Sequence, residues 1–363
     1  MIRKNRKKVF VALSGGVDSA VAAALLKKRG FDVSGVFFRF FDAPNSTWKP
    51  NFQVGKIAKK LGISLKIVDA RKEFRGRVID CFVDAYKKGL TPNPCVHCNK
   101  EVKFHLLFEL LKKYKADFVA TGHYAQIHIT HNIKHITRKK LIYAANYALC
   151  EAKDKQKDQS YFLYRLSQRE LPRIIFPLGG LEKNEVKKMA KKLKLPVQEG
   201  ESQDICFLGE KPIEEFLRKK IVLKKGKIRD IGGKILGCHE GLPLYTIGQR
   251  KGIRISGTGP YWVVGKNTRK NELVVSNDPK KLLTKRFEVG RVNWINQEIK
   301  LPLCAKVQIR YHSERISAII KKGRSGRLII ETKKPVQAAT AGQSAVFCRN
   351  SEVLGGGIIT THK

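Results

Sequence analysis

The stretch Ser14-Gly15-Gly16-Val17-Asp18-Ser19 lies between two apolar runs of different character. The first run, residues 8–13, is short and is typical of a buried strand. The second run, residues 20–29, is rich in alanine and leucine. Because Gly30 follows it, it predicts a helix that ends at a glycine in the C′ position. The chain is therefore predicted to pass from a strand, through a glycine-rich loop, into a helix.

This loop has the features of a phosphate-binding turn. Its two glycines allow a sharp turn and bring backbone N–H groups close to phosphate oxygens, and the following helix presents its positive amino end to the same anion. Ser14 and Ser19 add hydroxyl groups, and Asp18 is a candidate ligand for a magnesium ion. The loop has no lysine, so it is not a P-loop of the GxxxxGK type. The alternative is a plain strand-to-helix turn with Asp18 or Ser19 near the N-cap.

The next hundred residues alternate between strand-like and helix-like patterns. Such alternation predicts βαβ units and a parallel sheet, with ligands bound at the carboxyl ends of the strands. The predicted strands are 33–38, 65–68 and 117–121, and the predicted helices are 54–61, 78–88 and 101–113. The polar, lysine-rich segment 128–157 is interpreted as a flexible excursion.

Beyond about residue 210 the pattern changes to short β segments separated by turn signals. They include 261–265 and 272–276, followed from 285 onward by 287–292, 305–311, 315–320, 328–332 and 344–348. This spacing predicts a small all-β domain, such as a barrel, at the end of the chain. The division expected from these changes is 1–208, 209–283 and 284–363.

The chain is strongly basic. Its 73 Lys and Arg residues exceed its 31 Asp and Glu residues, which gives a net charge of +42. Such an excess attracts polyanions, and nucleic acid is the partner that it favours, although lysine on solvated helix faces is the simpler alternative. No stretch approaches the roughly 20 apolar residues of a membrane helix, and the apolar run after the basic amino end is too short for a signal peptide. A cytoplasmic location without membrane contact is therefore expected.

Eight cysteines in such a compartment favour metal or redox chemistry over a disulfide framework. Only Cys95 and Cys98 are close in sequence, and no second CxxC completes a structural zinc site. This pair can bind metal, form a disulfide or donate a nucleophile. Pro92 and Pro94 are predicted to keep their segment from forming a helix. Cys206, considered alone, is interpreted as a structural residue.

Several segments together resemble the tRNA-specific 2-thiouridylase family, a branch of the ATP-pyrophosphatase superfamily. They occur in family order along almost the whole chain. They are SGGVDS at 14–19, TPNPCVHCNKEVKF at 91–104, GHY at 122–124, KDQSYFL at 157–163, ESQDICF at 201–207, GQRKG at 248–252, RY at 310–311, GQ at 342–343 and VF at 346–347.

The resemblance implies a fold and an activity. The fold is α/β: a parallel-sheet ATP-pyrophosphatase domain of the adenine nucleotide alpha hydrolase-like type, then a small central domain and a C-terminal β-barrel. The activity is that of a tRNA-uridine 2-sulfurtransferase, which uses ATP and Mg²⁺ to place sulfur on carbon 2 of the wobble uridine in tRNAs for lysine, glutamate and glutamine. The implied partners are the tRNA anticodon stem-loop and a sulfur donor such as a cysteine desulfurase or a sulfur-relay protein.

The resemblance also implies roles for individual residues. Cys98 matches the nucleophile and Cys206 matches the residue that carries a persulfide. The expected nucleotide contacts are Ala12, Leu13, Ser14, Gly15, Gly16, Val17, Asp18, Ser19, Phe38 and Gly122. The expected contacts with the target base or the rest of the tRNA are Asn93, Pro94, Cys95, His123, Lys157, Asp158, Gln159, Arg310, Tyr311 and Gln343.

The chain departs from the family at Cys95, where many members have an aspartate. Cys95, Cys98 and Cys206 could therefore hold a [4Fe-4S] cluster that binds sulfide. In the other scheme, which we favour, Cys206 carries the persulfide and Cys98 resolves it as a Cys98–Cys206 disulfide. More distant alternatives are another ATP-pyrophosphatase ligase or amidotransferase, and an RNA-binding protein with a structural metal at Cys95 and Cys98.

Overall fold

The computed structural model describes residues 6–42, 50–137, 140–197, 205–209, 211–255, 259–296 and 299–362. Its first part is built on a parallel five-stranded sheet in the order β3-β2-β1-β4-β7. The strands are β1 (Lys8–Ala12), β2 (Asp32–Arg39), β3 (Ser64–Asp69), β4 (Phe118–Ala120) and β7 (Ile174–Ile175). The predicted parallel sheet is confirmed. Because the strand order reverses beside β1, the loop that follows β1 lies at the switch point where α/β proteins bind ligands.

Helices connect and flank these strands. They are α1 (Val17–Lys28), α2 (Pro50–Leu61), α3 (Arg71–Phe74), α4 (Cys81–Lys87), α5 (Pro94–Cys98), α6 (His105–Lys113), α7 (Lys183–Lys192) and α8 (Ile213–Lys220). The glycine predicted to end the first helix, Gly30, has a φ of +87°. Two π-helical turns, Arg75–Asp80 and Asn99–Phe104, join α3 to α4 and α5 to α6. The predicted helices 78–88 and 101–113 therefore begin earlier in the structure, at the start of α3 and of α5.

The prediction that prolines prevent a helix near Cys95 is wrong. Pro94 is the first residue of α5, where its missing N–H costs no hydrogen bond. Asn93 is the N-cap, and its Oδ1 accepts hydrogen bonds from Cys95 N at 3.1 Å and Val96 N at 3.3 Å. The proline therefore starts this helix instead of blocking it.

The central part of the chain forms a four-stranded sheet in the order β10-β11-β8-β9. Its strands are β8 (Gly226–Asp230), β9 (Ile235–His239), β10 (Trp262–Asn267) and β11 (Glu272–Ser276). β8 and β11 are parallel and the other pairs are antiparallel. Ile228, Val263, Leu273 and Val275 are buried in its own small core.

Six strands at the end of the chain form a closed antiparallel barrel. They are β12 (Leu283–Trp294), β13 (Leu303–Gln308), β14 (Ile316–Lys322), β15 (Leu328–Gln337), β16 (Ser344–Arg349) and β17 (Glu352–His362). The order β12-β15-β14-β13-β16-β17 is closed by pairing of β12 with β17. The predicted barrel is confirmed, and closure leaves its own strands without a free edge.

The interpretation of 128–157 as a flexible excursion is wrong for most of its length. The backbone forms an antiparallel hairpin of β5 (Gln126–Thr137) and β6 (Lys140–Cys150). β6 pairs with β17 through Cys150 and Leu149, so the hairpin extends the barrel sheet. Alternation such as Ile127, His128, Ile129 is a strand pattern, but the high polarity of the segment concealed it. No helix within the described ranges is long and apolar enough to span a membrane.

Candidate functional site at the carboxyl end of the parallel sheet

The glycine-rich loop folds back on itself between β1 and α1. Gly15 has a φ of +90°, which favours glycine, and Gly16 is the N-cap of α1 without a side-chain cap. Ser14 N donates to Ser19 Oγ at 3.1 Å, and Ser19 Oγ donates to the carbonyl of Gly16 at 3.1 Å. The amino end of α1 is thus capped by no side chain and can receive an anion. Asp18 and Ser19 are the second and third residues of α1 and therefore lie near its N-cap, Gly16, as the alternative of a plain strand-to-helix turn also expects.

Asp18 is held by two residues from distant parts of the chain. Tyr124 Oη donates to Asp18 Oδ1 at 2.8 Å, and Lys183 Nζ lies 2.6 Å from Oδ1 and 2.7 Å from Oδ2. Burial, and then the negative charge of Asp18, raises the pKa of Tyr124, which stays a neutral hydrogen-bond donor. A carboxylate and an ammonium group therefore lie side by side at the mouth of the loop.

Sequence reasoning missed Lys183. It lies at the start of a lysine-rich helix, and nothing nearby in the sequence connects it with Asp18. One signal was present, because Lys183 is the first residue of α7. A cation in the first turn opposes the helix macrodipole, so its presence there calls for another stabilising partner.

The other predicted nucleotide contacts surround this loop. Gly122 packs on its backbone so closely that a Cβ atom there would lie 2.8 Å from Ser19 N. Leu13 and Phe38 are buried, with Leu13 N donating to the carbonyl of Val36 at 2.7 Å. Ala12 and Val17 are half-buried at the ends of β1 and α1. All ten predicted positions therefore lie on or next to the carboxyl ends of β1, β2 and β4.

Two of the candidate sulfur-chemistry residues, Cys95 and Cys206, lie close enough to the third, Cys98, to influence its pKa. The pKa of Cys98 is raised to about 12, mainly by burial and to a smaller extent by the charges of Cys206 and Cys95. Cys206 is exposed as a whole residue, but its thiol is partly shielded from water, and this desolvation raises its pKa as well. Lys103 opposes both shifts. It belongs to the π-helical turn after Cys98, and its Nζ donates to Asn99 Oδ1 at 2.9 Å.

A metal site does not follow from this arrangement. Among the described residues, which include all eight cysteines, no three His, Cys, Asp or Glu side chains are grouped as metal ligands would be. Cys95, Cys98 and Cys206 therefore do not present the three-thiolate face that the cluster alternative requires. The carboxylate of Asp18 suits a magnesium ion next to phosphates, and it is currently paired with Lys183.

Several residues predicted to meet tRNA use their polar groups within the protein. His123 Nδ1 lies 2.7 Å from Thr121 Oγ1, and burial, followed by the charge of Lys103, keeps its pKa well below the usual range. Asp158 accepts from Ala152 N at 2.9 Å and from Ser160 Oγ at 2.8 Å, and Gln159 Oε1 accepts from Tyr124 N at 3.0 Å. The polar groups of these three side chains therefore bond other parts of the protein.

The remaining tRNA candidates differ in accessibility. Arg310 is exposed, with one N–H bonded to the carbonyl of Ala338 at 2.8 Å, and the ring of Tyr311 packs on Phe162 with centroids 4.4 Å apart. Lys157 is half-exposed. Gln343 Nε2 donates to the carbonyl of Thr91 at 2.8 Å, and thus joins the barrel to the segment that precedes α5.

Comparison with known proteins identifies three consecutive matches to family models. Residues 7–210 match the tRNA methyl transferase HUP domain, residues 214–277 the tRNA methyl transferase PRC-barrel domain, and residues 284–359 the aminomethyltransferase beta-barrel domain. A solved 4-thiouridine synthetase–RNA complex with bound ATP is similar at a TM-score of 0.35 and 20% identity, over 59% of this chain and 50% of that chain.

Curated relatives match along nearly the whole length. The tRNA-specific 2-thiouridylase MnmA of Buchnera aphidicola subsp. Acyrthosiphon pisum is 39% identical, over 99% of this chain and 98% of the relative. The tRNA-specific 2-thiouridylase MnmA 1 of Geobacillus kaustophilus is 38% identical, over 98% of this chain and 95% of the relative. With these matches and the confirmed fold, the chain belongs to the tRNA-specific 2-thiouridylase family of tRNA-uridine 2-sulfurtransferases.

Proposed function

We propose that this chain uses ATP to replace the oxygen on carbon 2 of the wobble uridine with sulfur, in tRNAs for lysine, glutamate and glutamine. The observation that carries the proposal is the segment 121–124, which borders the nucleotide loop and, through His123 stacked on Phe104, the π-helical turn that follows Cys98. Gly122 packs on the loop backbone and Tyr124 bonds Asp18, whereas His123 and Cys98 both lie within the field of Lys103. A base bound at this segment would lie between the ATP phosphates and the sulfur-carrying residues.

The three parts of the chain have separate tasks in this proposal. Residues 1–208 carry ATP binding and sulfur chemistry, whereas 209–283 and 284–363 hold the anticodon stem-loop. The net charge of +42 supports an RNA partner, and the relatives are named for tRNA. Exposed Arg310 suits a phosphate and the ring of Tyr311 suits an unpaired base. A cysteine desulfurase or a sulfur-relay protein supplies the sulfur.

The first step makes the oxygen on carbon 2 a leaving group. That oxygen attacks the α-phosphorus of ATP, pyrophosphate leaves, and the base becomes adenylated. The amino end of α1 and Lys183 stabilise the negative charge that develops on the phosphates. Asp18 would hold Mg²⁺, which neutralises part of the triphosphate charge when bound.

The sulfur then moves in two steps. The terminal sulfur of the Cys206 persulfide attacks carbon 2, AMP departs, and the base is joined to Cys206 through an S–S bond. The thiolate of Cys98 next attacks Cys206 Sγ, the S–S bond to the base breaks, and its electron pair stays on the sulfur of the 2-thiouridine. A Cys98–Cys206 disulfide remains, and a dithiol reductant restores both thiols.

Thiolation with substituted cysteines tests this proposal. Cys206→Ser should abolish 2-thiouridine formation while tRNA-dependent pyrophosphate release continues, and Cys304→Ser, at an exposed barrel position, should behave as wild type. Cys98→Ser should trap tRNA on Cys206 as an adduct that a thiol releases. If Cys206→Ser retains thiolation, or if no such adduct forms, the persulfide route is wrong.

Iron analysis separates this route from cluster-bound sulfide. After anaerobic purification, the protein should thiolate tRNA without stoichiometric iron and acid-labile sulfide, and Cys95→Asp should remain active. Activity that requires about four irons per chain, the content of a [4Fe-4S] centre, and that Cys95→Asp abolishes, would support the cluster. Pyrophosphate release that does not need tRNA would instead support a ligase or amidotransferase.

A further inference from the structure

Residues 91–93, the short segment before α5, are held by hydrogen bonds to the barrel. We call this segment the strap. Thr91 N donates to the carbonyl of Ala341 at 2.9 Å, and the carbonyl of Thr91 accepts from Gln343 Nε2 at 2.8 Å. Both backbone hydrogen-bonding groups of Thr91 are therefore satisfied by one barrel loop, residues 340–344, about 250 positions later in the chain. Thr91 is only 9% exposed.

The fit between this loop and the strap depends on Gly342. Its φ is +96°, and a Cβ atom there would lie 2.8 Å from Thr91 N and 3.0 Å from Thr91 C and O. The atoms in the way are backbone, which cannot rotate aside as a side-chain end can. The loop is itself anchored at Ser344, whose carbonyl accepts from Tyr161 Oη at 2.9 Å. Only glycine at 342 allows the two segments to lie this close.

The central sheet domain reaches the same place. Thr91 Oγ1 donates to Thr246 Oγ1 at 3.5 Å. Gly248 lies close to the barrel, since a Cβ atom there would be 3.2 Å from Ala338 Cβ. Segments from all three consecutive parts of the chain therefore meet at Thr91, two residues before the N-cap of α5.

The other end of the strap is the N-cap of α5. Asn93 caps this helix through Cys95 N and Val96 N, and Cys98 is its last residue. We propose that the barrel loop 340–344 is a positioning element of the sulfur-transfer site, which fixes the strap and through it the helix that carries Cys98. Gln343 and Gly342 act through Thr91 and are positioning residues. The inference rests on the role proposed above for Cys98.

The consequence is that the barrel completes the active site and is more than a surface for RNA. The same loop thus fixes the position of Cys98 relative to a tRNA bound on the barrel. Loosening the loop should therefore disturb catalysis before it disturbs tRNA affinity.

The chain offers a matched pair of glycines for the test. Gly326 also lies in a barrel turn with a positive φ, +72°, but nothing lies within 4 Å of its added Cβ. In full-length protein, Gly342→Ala should lower kcat for thiolation about tenfold and should speed alkylation of Cys98 by a similar factor, because local opening exposes a buried thiol. KM for tRNA should stay within about twofold. Gly326→Ala should match wild type in all three measurements, and Cys304 should be alkylated equally in each protein.

A milder variant covers the case in which Gly342→Ala does not fold. Gln343→Leu removes the hydrogen bond to the Thr91 carbonyl without a steric clash, and Gln337→Leu, at an exposed position of β15, is its control. The first should speed Cys98 alkylation about fivefold, as expected for one lost hydrogen bond, and the second should not. Equal Cys98 alkylation in a variant and its control, or a change in KM for tRNA with unchanged kcat, overturns the proposal. Alkylation needs no tRNA or persulfide, so this result stands even if Cys206→Ser retains thiolation.

Discussion

Lys183 and Asp18 are 165 residues apart in the chain, yet Lys183 Nζ contacts both carboxylate oxygens of Asp18, at 2.6 and 2.7 Å. The pair is partly buried, and the ring of Tyr124 borders it with the ammonium 5.6 Å from the ring centroid. This ion pair lies beside the uncapped amino end of α1, to which the proposed function assigns the phosphates of ATP. If Asp18 held Mg²⁺ there, Lys183 would be available to contact phosphate oxygens.

The first prediction follows from that exchange of partners. Lys183→Gln should lower tRNA-dependent pyrophosphate release about 10²–10³-fold, the usual effect of removing one preorganised electrostatic group. Lys187→Gln removes the same charge from an exposed position one turn further along α7 and should have little effect. Asp18→Ala should lose pyrophosphate release as well. Normal release by either the Lys183 or the Asp18 variant would exclude that residue from the adenylation step.

The sequence predicts the parts of this site that depend on local pattern. The loop 14–19, the parallel sheet and the barrel follow from glycine spacing and from hydrophobic periodicity, and the structure confirms the fold. Lys183 and Thr91 act through contacts with residues more than 150 positions away. No local signal specifies such partners, because they are fixed by how whole domains pack.

Local rules also failed where two of them competed. Pro94 is unfavourable inside a helix but favourable at its first position, and the decisive residue is the cap, Asn93. Polarity of the segment after Gln126 suggested flexibility, whereas its backbone pairs into a hairpin. In each case the secondary structure depends on neighbouring residues, the N-cap or the paired strand, that the local sequence pattern does not include.

The second prediction concerns Lys103 and the reactivity of the thiols. A positive charge favours the thiolate, and Lys103 lowers the pKa of both Cys98 and Cys206 against the effect of burial. Removing that charge in Lys103→Gln should raise both pKa values, so the alkylation of each cysteine should shift to higher pH, by about one unit. Less thiolate would then be present at neutral pH, and sulfur release should slow.

Two further variants make this measurement specific. Lys103→Arg keeps the charge and should restore most of the wild-type pH profile, whereas Lys112→Gln removes a charge from an exposed position on α6 and should leave the profile unchanged. Alkylation followed peptide by peptide separates Cys98 and Cys206 from the other cysteines. An unshifted pH profile in Lys103→Gln would show that the Lys103 ammonium does not lower the pKa of the two thiols.

The third prediction concerns the joint between the barrel and the first domain. Arg315 is 16% exposed in its side chain and pairs with Glu151 and with Asp158, the latter at 3.4 Å. Both carboxylates are almost buried, and burial raises the pKa of Asp158. Arg315→Ala would leave the carboxylate of Asp158 without its ion-pair partner and Glu151 paired only with the exposed Lys155, which should lower the free energy of unfolding by about 3 kcal/mol. Arg327→Ala breaks an exposed barrel pair with Glu288 and should cost under about 1 kcal/mol.

The pH dependence of this loss distinguishes lost charge pairing from lost packing. Without Arg315, the carboxyl group of Asp158 favours its neutral form more strongly, so its folded-state pKa, which burial already raises, lies further above the unfolded value. Protonation of Asp158 then relieves the uncompensated charge as the pH falls through that raised pKa. The stability difference between wild type and Arg315→Ala, measured by urea unfolding, should therefore shrink between pH 7 and pH 5. A difference that stays constant over this range would mean that Arg315 stabilises the joint through packing and not through its charge.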